Sequence, residues 1–520
     1  MKLIALLAVI TFTASYVQCE KILLLNAARI GQSHVFFMGK IADVLHEAGH
    51  NVTFYQQDAF TSLTKVGAKK ANVVVRPCDT GCRDQPSDDV WKTGDEMMEN
   101  LEVYHIYGST MGSACESQLK DEALTQWFRA QNFDLAIGEH FDYCAHALIE
   151  KIGIPKVITA SAIMIQPMLL QQTGHTLNLG FTPGLDDDHG SQMTYWQRAK
   201  ALLMYPLKRF MLYLTFESYV LNAISKHYRP DFNVNDALGK SSYVFVNVDE
   251  HLAYQMPLSE KFVYVGGVGE HMGRDHSLPV EINKILENSN KGVILMSFGT
   301  IAKSYLMHED TKQQILAAVA AMPEYDFIWK YEVDDSIGSN LTNLHKMKWT
   351  PQSDLLAHPK LLAFVTHGGL NSVSETAHKG TPFVCIPVFG DQNHNCFSAQ
   401  EKGLAVMIEK SEITKEHLVS ALNVILDPSY QERAMSFAKM MADKPFQPKD
   451  RIIGYVNHAL KYDVSTALDL PCRQLNFFQN YFLDVLIPVA LVLLTVVYVS
   501  YRMTKSTVSF VRSFSKTKVE

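Results

Sequence analysis

Between Trp349 and Gln392 the sequence gathers side chains that suit a nucleoside diphosphate. It reads Trp349-Thr350-Pro351-Gln352, then an apolar strand ending Thr366-His367-Gly368-Gly369, then Asn371 and Glu375, then Asp391-Gln392. Gly368 and Gly369 at a helix N-terminus let a phosphate approach bare backbone amides. His367, at the strand end, can donate to a diphosphate oxygen. Asn371 and Glu375 stand four apart and share one helix face, where a carboxylate can accept both ribose hydroxyls. Trp349 offers a flat surface for a base. Asp391 and Gln392 bring an acceptor and an amide to sugar hydroxyls. Taken singly, each has a blander reading as a structural turn, a core indole, a solvated helix face or a helix cap.

These residues need a frame that presents strand ends to a cleft. Strands are expected at Lys21–Leu25, Val52–Tyr55, Val73–Arg76, Phe133–Ile137, Ile154–Thr159, Tyr243–Val248 and Phe262–Val265. A second run is expected at Val293–Ser297, Phe327–Lys330, Lys346–Trp349, Leu362–Thr366, Phe383–Pro387 and Leu404–Ile408. Helical stretches separate them, the first capped by Ser33 and closed by Gly49. Such alternation predicts an α/β chain with two Rossmann-like, doubly wound domains facing a cleft, plus one C-terminal transmembrane helix. Ligands of such sheets bind outside the carboxyl ends of the strands.

On this frame His34 follows the first strand at the start of the first helix. A neutral histidine suits removal of a hydroxyl proton, and the positive helix end disfavours imidazolium.

The ordered set from Trp349 to Gln392 resembles the signature of the UDP-glycosyltransferase family, and the likeness runs over nearly the whole chain. It implies the GT-B fold with the donor in the second domain. Trp349 and Gln352 would hold uracil, Glu375 the ribose, and His367 the diphosphate, with Asn371 beside the phosphates. Asp391 and Gln392 would bind the transferred sugar. Gly299 and Thr300 resemble the family's phosphate turn, and Asp450-Arg451 its returning C-terminal segment. His34 stands where the family has its catalytic base. The family's partner carboxylate is usually an Asp; here the matching position is Glu139, one methylene longer, with Asp142 nearby as a substitute and Asp134 structural.

The implied activity is inverting transfer of glucuronic acid or glucose from a UDP-sugar to a hydroxyl of a small lipophilic acceptor. No metal or other cofactor is expected. Met97, Met98, Met164 and Met168 are either an adaptable acceptor lining or core. The alternative is a catalytically silent UDP-sugar-binding membrane protein that keeps the donor motif. A nicotinamide oxidoreductase lacks support, because no Gly-x-Gly-x-x-Gly follows a strand.

Composition bounds the setting. The chain has 520 residues, 47% hydrophobic and 19% charged, with net charge −7 and no basic field to attract nucleic acid. Residues 1–19 read as a signal peptide, with Lys2 before an apolar run too short to span a bilayer. Residues 20–275 form the acceptor domain, 276–290 a linker, 291–444 the donor domain and 445–480 the returning segment. Residues 481–501 read as a span flanked by aromatic belts, and 502–520 as a basic cytosolic tail. Lys516 and Lys518 resemble a dilysine retrieval signal. Together these imply a single-pass type I protein of the endoplasmic reticulum membrane, its domains lumenal, in contact with membrane lipid and a possible homo-oligomer. In that oxidising lumen Cys78 and Cys82 could pair, while no second ligand pair supports zinc. Asn340, in a polar loop, and Asn51, which opens a strand and is therefore expected to be less accessible, head glycosylation sequons.

Overall fold

The structure is a computed structural model; it describes residues 19–29, 31–63, 65–84, 90–91, 96–270 and 277–517. Residues 1–18 of the signal-peptide segment and Lys518 lie outside the described residues, as do the side chains of Met97, Met98 and Lys516.

The described strands form two parallel sheets. In the first, β1 (Lys21–Asn26), β2 (Asn51–Gln57), β3 (Asn72–Arg76), β4 (Leu135–Glu139), β5 (Val157–Ser161), β6 (Val244–Val246) and β7 (Phe262–Tyr264) lie in the order β3-β2-β1-β4-β5-β6-β7. In the second, β8 (Val293–Ser297), β9 (Asp326–Lys330), β10 (Leu344–Met347), β11 (Leu361–Thr366), β12 (Phe383–Cys385) and β13 (Ala405–Met407) lie in the order β10-β9-β8-β11-β12-β13. The central strands are apolar throughout: β8 is Val-Ile-Leu-Met-Ser and fully buried. That is the composition demanded of a parallel sheet covered by helices on both faces.

The helices used below are α1 (Gln32–Glu47), α2 (Glu96–Lys120), α3 (Tyr143–Ile152), α4 (Tyr195–Leu212), α5 (Val280–Asn288), α6 (Leu370–Lys379), α7 (Gln392–Glu401), α8 (Pro448–Lys461) and α9 (Leu483–Thr517). α1 buries Val35, Met38, Ile41, Ala42 and Leu45 at helical spacing, which pins it over the first sheet. Its N-cap is Gly31 in an extended conformation, not Ser33, and no side chain caps it. Gly49 closes it with φ 95°, as expected.

Residues 280–288, within the segment read as a linker, are the helix α5, whose Ile282 and Leu286 are buried in the core. α8 returns to the first domain: Ile452, Val456 and Ala459 join its core, and the Tyr243 hydroxyl lies 2.7 Å from His458 Nδ1. Arg451 donates to the Tyr264 carbonyl at 3.2 Å and to Glu250 at 2.5 Å. α9 is long and apolar enough to cross a membrane: within Leu483–Arg512 an 18-residue window reaches a mean hydropathy of 2.4, and none of that window is buried.

Three disulfides join Cys78–Cys82, Cys115–Cys144 and Cys385–Cys396. The first was anticipated by its short spacing; the other two bring together residues on separate elements. Asn51 and Asn340 are both exposed, so the strand does not close off Asn51 as expected.

Candidate active site

Each sheet reverses its strand order once, and each reversal opens a crevice at the carboxyl ends of two strands. In the first sheet the crevice lies between β1 and β4, where Leu25 is in register with Gly138. His34, in the first turn of α1, enters from one side and Glu139, the last residue of β4, from the other. His34 Nδ1 lies 3.1 Å from Glu139 Oε1; the histidine side chain is 15% exposed and the carboxylate 1%. Glu139 also accepts the Phe141 amide at 2.8 Å and the Ala162 amide at 3.4 Å, which aims it. The longer carboxylate thus still reaches the imidazole. Its pairing with Nδ1 leaves Nε2 to the cleft.

The direction in which His34 is shifted differs from the sequence expectation. Burial alone lowers the His34 imidazole, but the Glu139 charge and hydrogen bond, with the Asp391 charge, outweigh it and hold His34 above the usual histidine value. The helix end is therefore not the deciding influence. Burial raises Glu139, but the His34 charge and hydrogen bond prevail and hold it below the usual carboxylate range. Asp142 does not substitute for it. It caps α3 through the Ala145 amide at 3.0 Å and takes the Ala28 amide at 3.1 Å, while burial pushes it up to about 7. Asp134 is structural, accepting the Lys21 amide at 2.8 Å.

The second crevice lies between β8 and β11, where Ser297 is in register with Thr366. Gly299 follows β8 and His367 follows β11. Gly299 has φ 80°, and a Cβ on it would press on the His367 ring, 2.6 Å from Nε2. A Cβ on Gly369 would meet the same atom at 2.6 Å. Gly368 has φ 79°, and a Cβ there would run into both sulfurs of the Cys385–Cys396 disulfide. The three glycines are thus required by an imidazole and a disulfide packed on the turn itself. Burial, with Lys330 adding, drives His367 down to about 4, so it is neutral. Lys330, missed in the sequence, donates to the Gly299 carbonyl at 2.5 Å; its place at the end of β9, beside the reversal, was the available signal.

Further along, Gln352 Nε2 donates to Glu375 Oε2 at 2.8 Å, bringing together the residues expected at base and ribose. Burial, and then Glu270, push Glu375 up to about 7. Glu270 was also missed, as was Asn247, which links the domains by donating to Asn371 Oδ1 at 3.5 Å and to the Ala162 carbonyl at 3.1 Å. Trp349 lies outside β10, which ends at Met347, and is 68% exposed, so its ring face is free. Thr300 is exposed beside Gly299. Asp391 accepts from Asn395 at 2.9 Å while its charge reaches His34 across the cleft. Gln392 is buried, and its carbonyl oxygen accepts the amides of Val388 and Phe389 at 2.8 and 3.1 Å. Its NH2 group alone remains to donate.

A cavity in the first domain is lined by Tyr104, Pro167, Met168, Leu185, Met204 and Leu212, with Asp187, Lys208 and Arg209 also in its wall, and its Tyr104 phenol feels the Asp391 charge. The Gly184 carbonyl of its wall lies 3.2 Å from His394 Nδ1 on α7. Met168 belongs to this lining; Met164 is core. Among the described residues one trio, Asp249, Glu250 and His251, has metal-ligand proximity. Lys444 Nζ sits against its two carboxylates at 2.5 and 3.4 Å, supplying the cation itself.

The family model described as UDP-glucoronosyl and UDP-glucosyl transferase matches residues 21–519. The chain belongs to that family. Among its relatives, the putative UDP-glucuronosyltransferase ugt-50 of Caenorhabditis elegans is 28% identical, over 89% of this chain and 90% of that protein. UDP-glucuronosyltransferase 3A1 of Bos taurus is 28% identical, over 89% of each. Solved structures share the fold: the calicheamicin glycosyltransferase CalG4 (TM-score 0.54, 16% identity) and LpCGTa in complex with UDP (TM-score 0.55, 13% identity). Each aligns over 85% of this chain and 99% of its own. The two parallel sheets are those of a GT-B enzyme, and this UDP-glycosyltransferase takes its donor as a UDP-sugar.

Proposed function

We propose that this UDP-glycosyltransferase inverts the anomeric carbon as it transfers glucuronic acid or glucose to a hydroxyl of a small lipophilic acceptor, with His34 as base. The observation that carries this reading is the 3.1 Å contact between His34 and Glu139. Nδ1–H faces the carboxylate, so Nε2 can take the acceptor proton as the hydroxyl oxygen attacks C1. The C1–O bond to the diphosphate breaks on the opposite face, and its electron pair leaves with UDP. Glu139 stabilises the imidazolium that forms. The amides at the α6 N-terminus, with neutral His367 donating, receive the charge that develops on the leaving diphosphate. No metal is needed for this step.

Within the donor half, Trp349 and Gln352 would face uracil, Glu375 the ribose hydroxyls, and Gly299, Thr300, Gly368, Gly369 and Asn371 the phosphates. Asp391 and the Gln392 NH2 group would meet the sugar. The Asp391 charge bears on His34, which supports a reading in which sugar and base meet across the cleft. The apolar part of the first-domain cavity, Pro167, Met168, Leu185, Met204 and Leu212, supports a lipophilic acceptor. The contact between Glu139 and His34 argues against a silent donor-binding protein. The expected signal, the span in α9 and the basic tail support anchoring in the endoplasmic reticulum membrane with lumenal domains; loss of an endoglycosidase-sensitive band shift in Asn340→Gln would test the orientation.

The deciding experiment incubates the full chain in microsomes with labelled UDP-sugars and a panel of phenols and steroids. His34→Ala should lower turnover by at least about a hundredfold while UDP affinity is kept. Equal turnover in the variant would reject His34 as the base.

A further inference from the structure

The three disulfides differ in what they hold. Cys78–Cys82 joins residues four apart near the surface of the first domain, and Cys115–Cys144 lies in that domain's core. Cys385–Cys396 lies in the donor half, with both side chains wholly buried. Cys385 ends β12, and Cys396 stands in the second turn of α7. The loop this bond closes contains Asp391 and Gln392, the residues expected at the transferred sugar.

The same bond underlies the glycine turn. Cys385 is in register with Thr366, the last residue of β11, and the Ile386 amide donates to the Thr366 carbonyl at 2.8 Å. Gly368, two residues on, has φ 79° and lies so close to both sulfurs that a methyl group there would strike them. From α7, Asn395 donates to the Gly368 carbonyl at 3.0 Å and to Asp391 Oδ2 at 2.9 Å. The glycine turn and the sugar loop thus share one support, a covalent bond and the amide beside it. Two thiols cannot approach as closely as two bonded sulfurs. Breaking the bond adds two hydrogens and pushes β12 and α7 apart beneath a turn with no spare room. The loop also regains conformational freedom, which donor binding must then remove.

We propose that the Cys385–Cys396 disulfide is a positioning element of the donor site, so that tight donor binding is conditional on the oxidised chain. The bond touches no reacting atom; it acts through Gly368, Asp391 and Gln392. A dithiol reductant supplies two electrons and two protons, leaving two thiols here and its own cyclic disulfide. A chain held in a reducing compartment binds the donor loosely, and the same chain in an oxidising lumen binds it tightly. The inference rests on the reading of the glycine turn and of Asp391 and Gln392 as donor contacts.

Linkage supplies the test: if the bond favours UDP, bound UDP must favour the bond by the same factor. The full chain in detergent is equilibrated in graded ratios of reduced to oxidised dithiothreitol, with and without saturating UDP. Free thiols are trapped by alkylation, and the peptides carrying each cysteine pair are read by mass spectrometry. UDP should make Cys385–Cys396 harder to reduce by about tenfold in that ratio, or about 30 mV for a two-electron couple. The Cys78–Cys82 midpoint should not move. An unmoved Cys385–Cys396 midpoint, with UDP binding seen by calorimetry, overturns the inference. Gly368→Ala then tells the two readings apart: weakened UDP binding in that variant keeps the glycine turn as a donor contact. No UDP binding to the oxidised chain would remove the donor reading and the inference with it. As a second measurement, Cys385→Ala with Cys396→Ala should weaken UDP binding about tenfold, and dithiothreitol should weaken it no further. A lowered melting temperature with UDP affinity intact would make the bond a stabilising staple only and overturn the inference.

Discussion

The two halves of the molecule place a histidine at the same topological point and tune it in opposite directions. His34 and His367 each stand beyond the carboxyl end of a strand at the reversal of a parallel sheet, and burial lowers both. His34 meets the Glu139 carboxylate and the Asp391 charge and ends above the usual value. His367 meets Lys330 and ends near 4. The fold thus settles where a titratable group stands, and the sign of the neighbouring charge settles what it does. One imidazole is suited to hold a proton, the other to remain a neutral donor.

The contrast can be broken most forcefully on the first side. Glu139→Gln should cost about a hundredfold or more in kcat with UDP affinity kept, because the tautomer and the stabilised imidazolium are both lost. The acidic limb of its pH–rate profile should also move to lower pH. Without the carboxylate, burial prevails and the His34 pKa falls, so the base form persists further into acid. A limb that stays in place would mean that Glu139 does not set this titration.

On the second side Gly368→Ala should weaken UDP binding by about tenfold, since a side chain is strained at φ 79° and collides with the disulfide. Its acidic limb should match that of the parent chain; a shift would show that the glycine turn itself bears on the His34 titration. Calorimetry and rate profiles on the one variant read both.

A smaller effect tests Glu375. Its folded value, about 7, lies above the ordinary carboxylate value. The stability it contributes is therefore complete at low pH and lost as pH rises through about 7. The ionised form is the one that accepts ribose hydroxyls, so UDP affinity should strengthen several-fold across that window and do so less in Glu375→Gln. The residual pH dependence in the variant belongs to the phosphates of UDP. Equal slopes would remove Glu375 from the proposed ribose contact.

The smallest expected change is in Lys330→Met. Removing the charge should raise the NMR titration midpoint of His367 from near 4, with burial still holding it below the usual histidine value. An unmoved midpoint would assign the whole depression to burial.

Much of this was legible before any coordinates. Apolar runs bounded by turn residues located both sheets, because a strand buried on two faces has little freedom in composition. The strand ends were less legible. β4 runs to Glu139 and β10 stops at Met347, and these shifts aim the carboxylate and free the indole. Asp142 stood as a substitute for Glu139 because it lies near the same strand end; the cap it makes on α3 commits its carboxylate elsewhere.

The sequence by itself determined the order of elements, the donor signature from Trp349 to Gln392, and the apolar length of α9, since each is written in contiguous residues. Tertiary structure alone decided that residues 105 positions apart form one dyad. It also decided that a disulfide underlies the glycine turn after β11, that the Asp391 charge bears on a histidine of the other domain, and that α4 turns an apolar face outward. The reason is physical: charge, burial and exposure belong to neighbours in space, and in a doubly wound fold those neighbours come from distant parts of the chain.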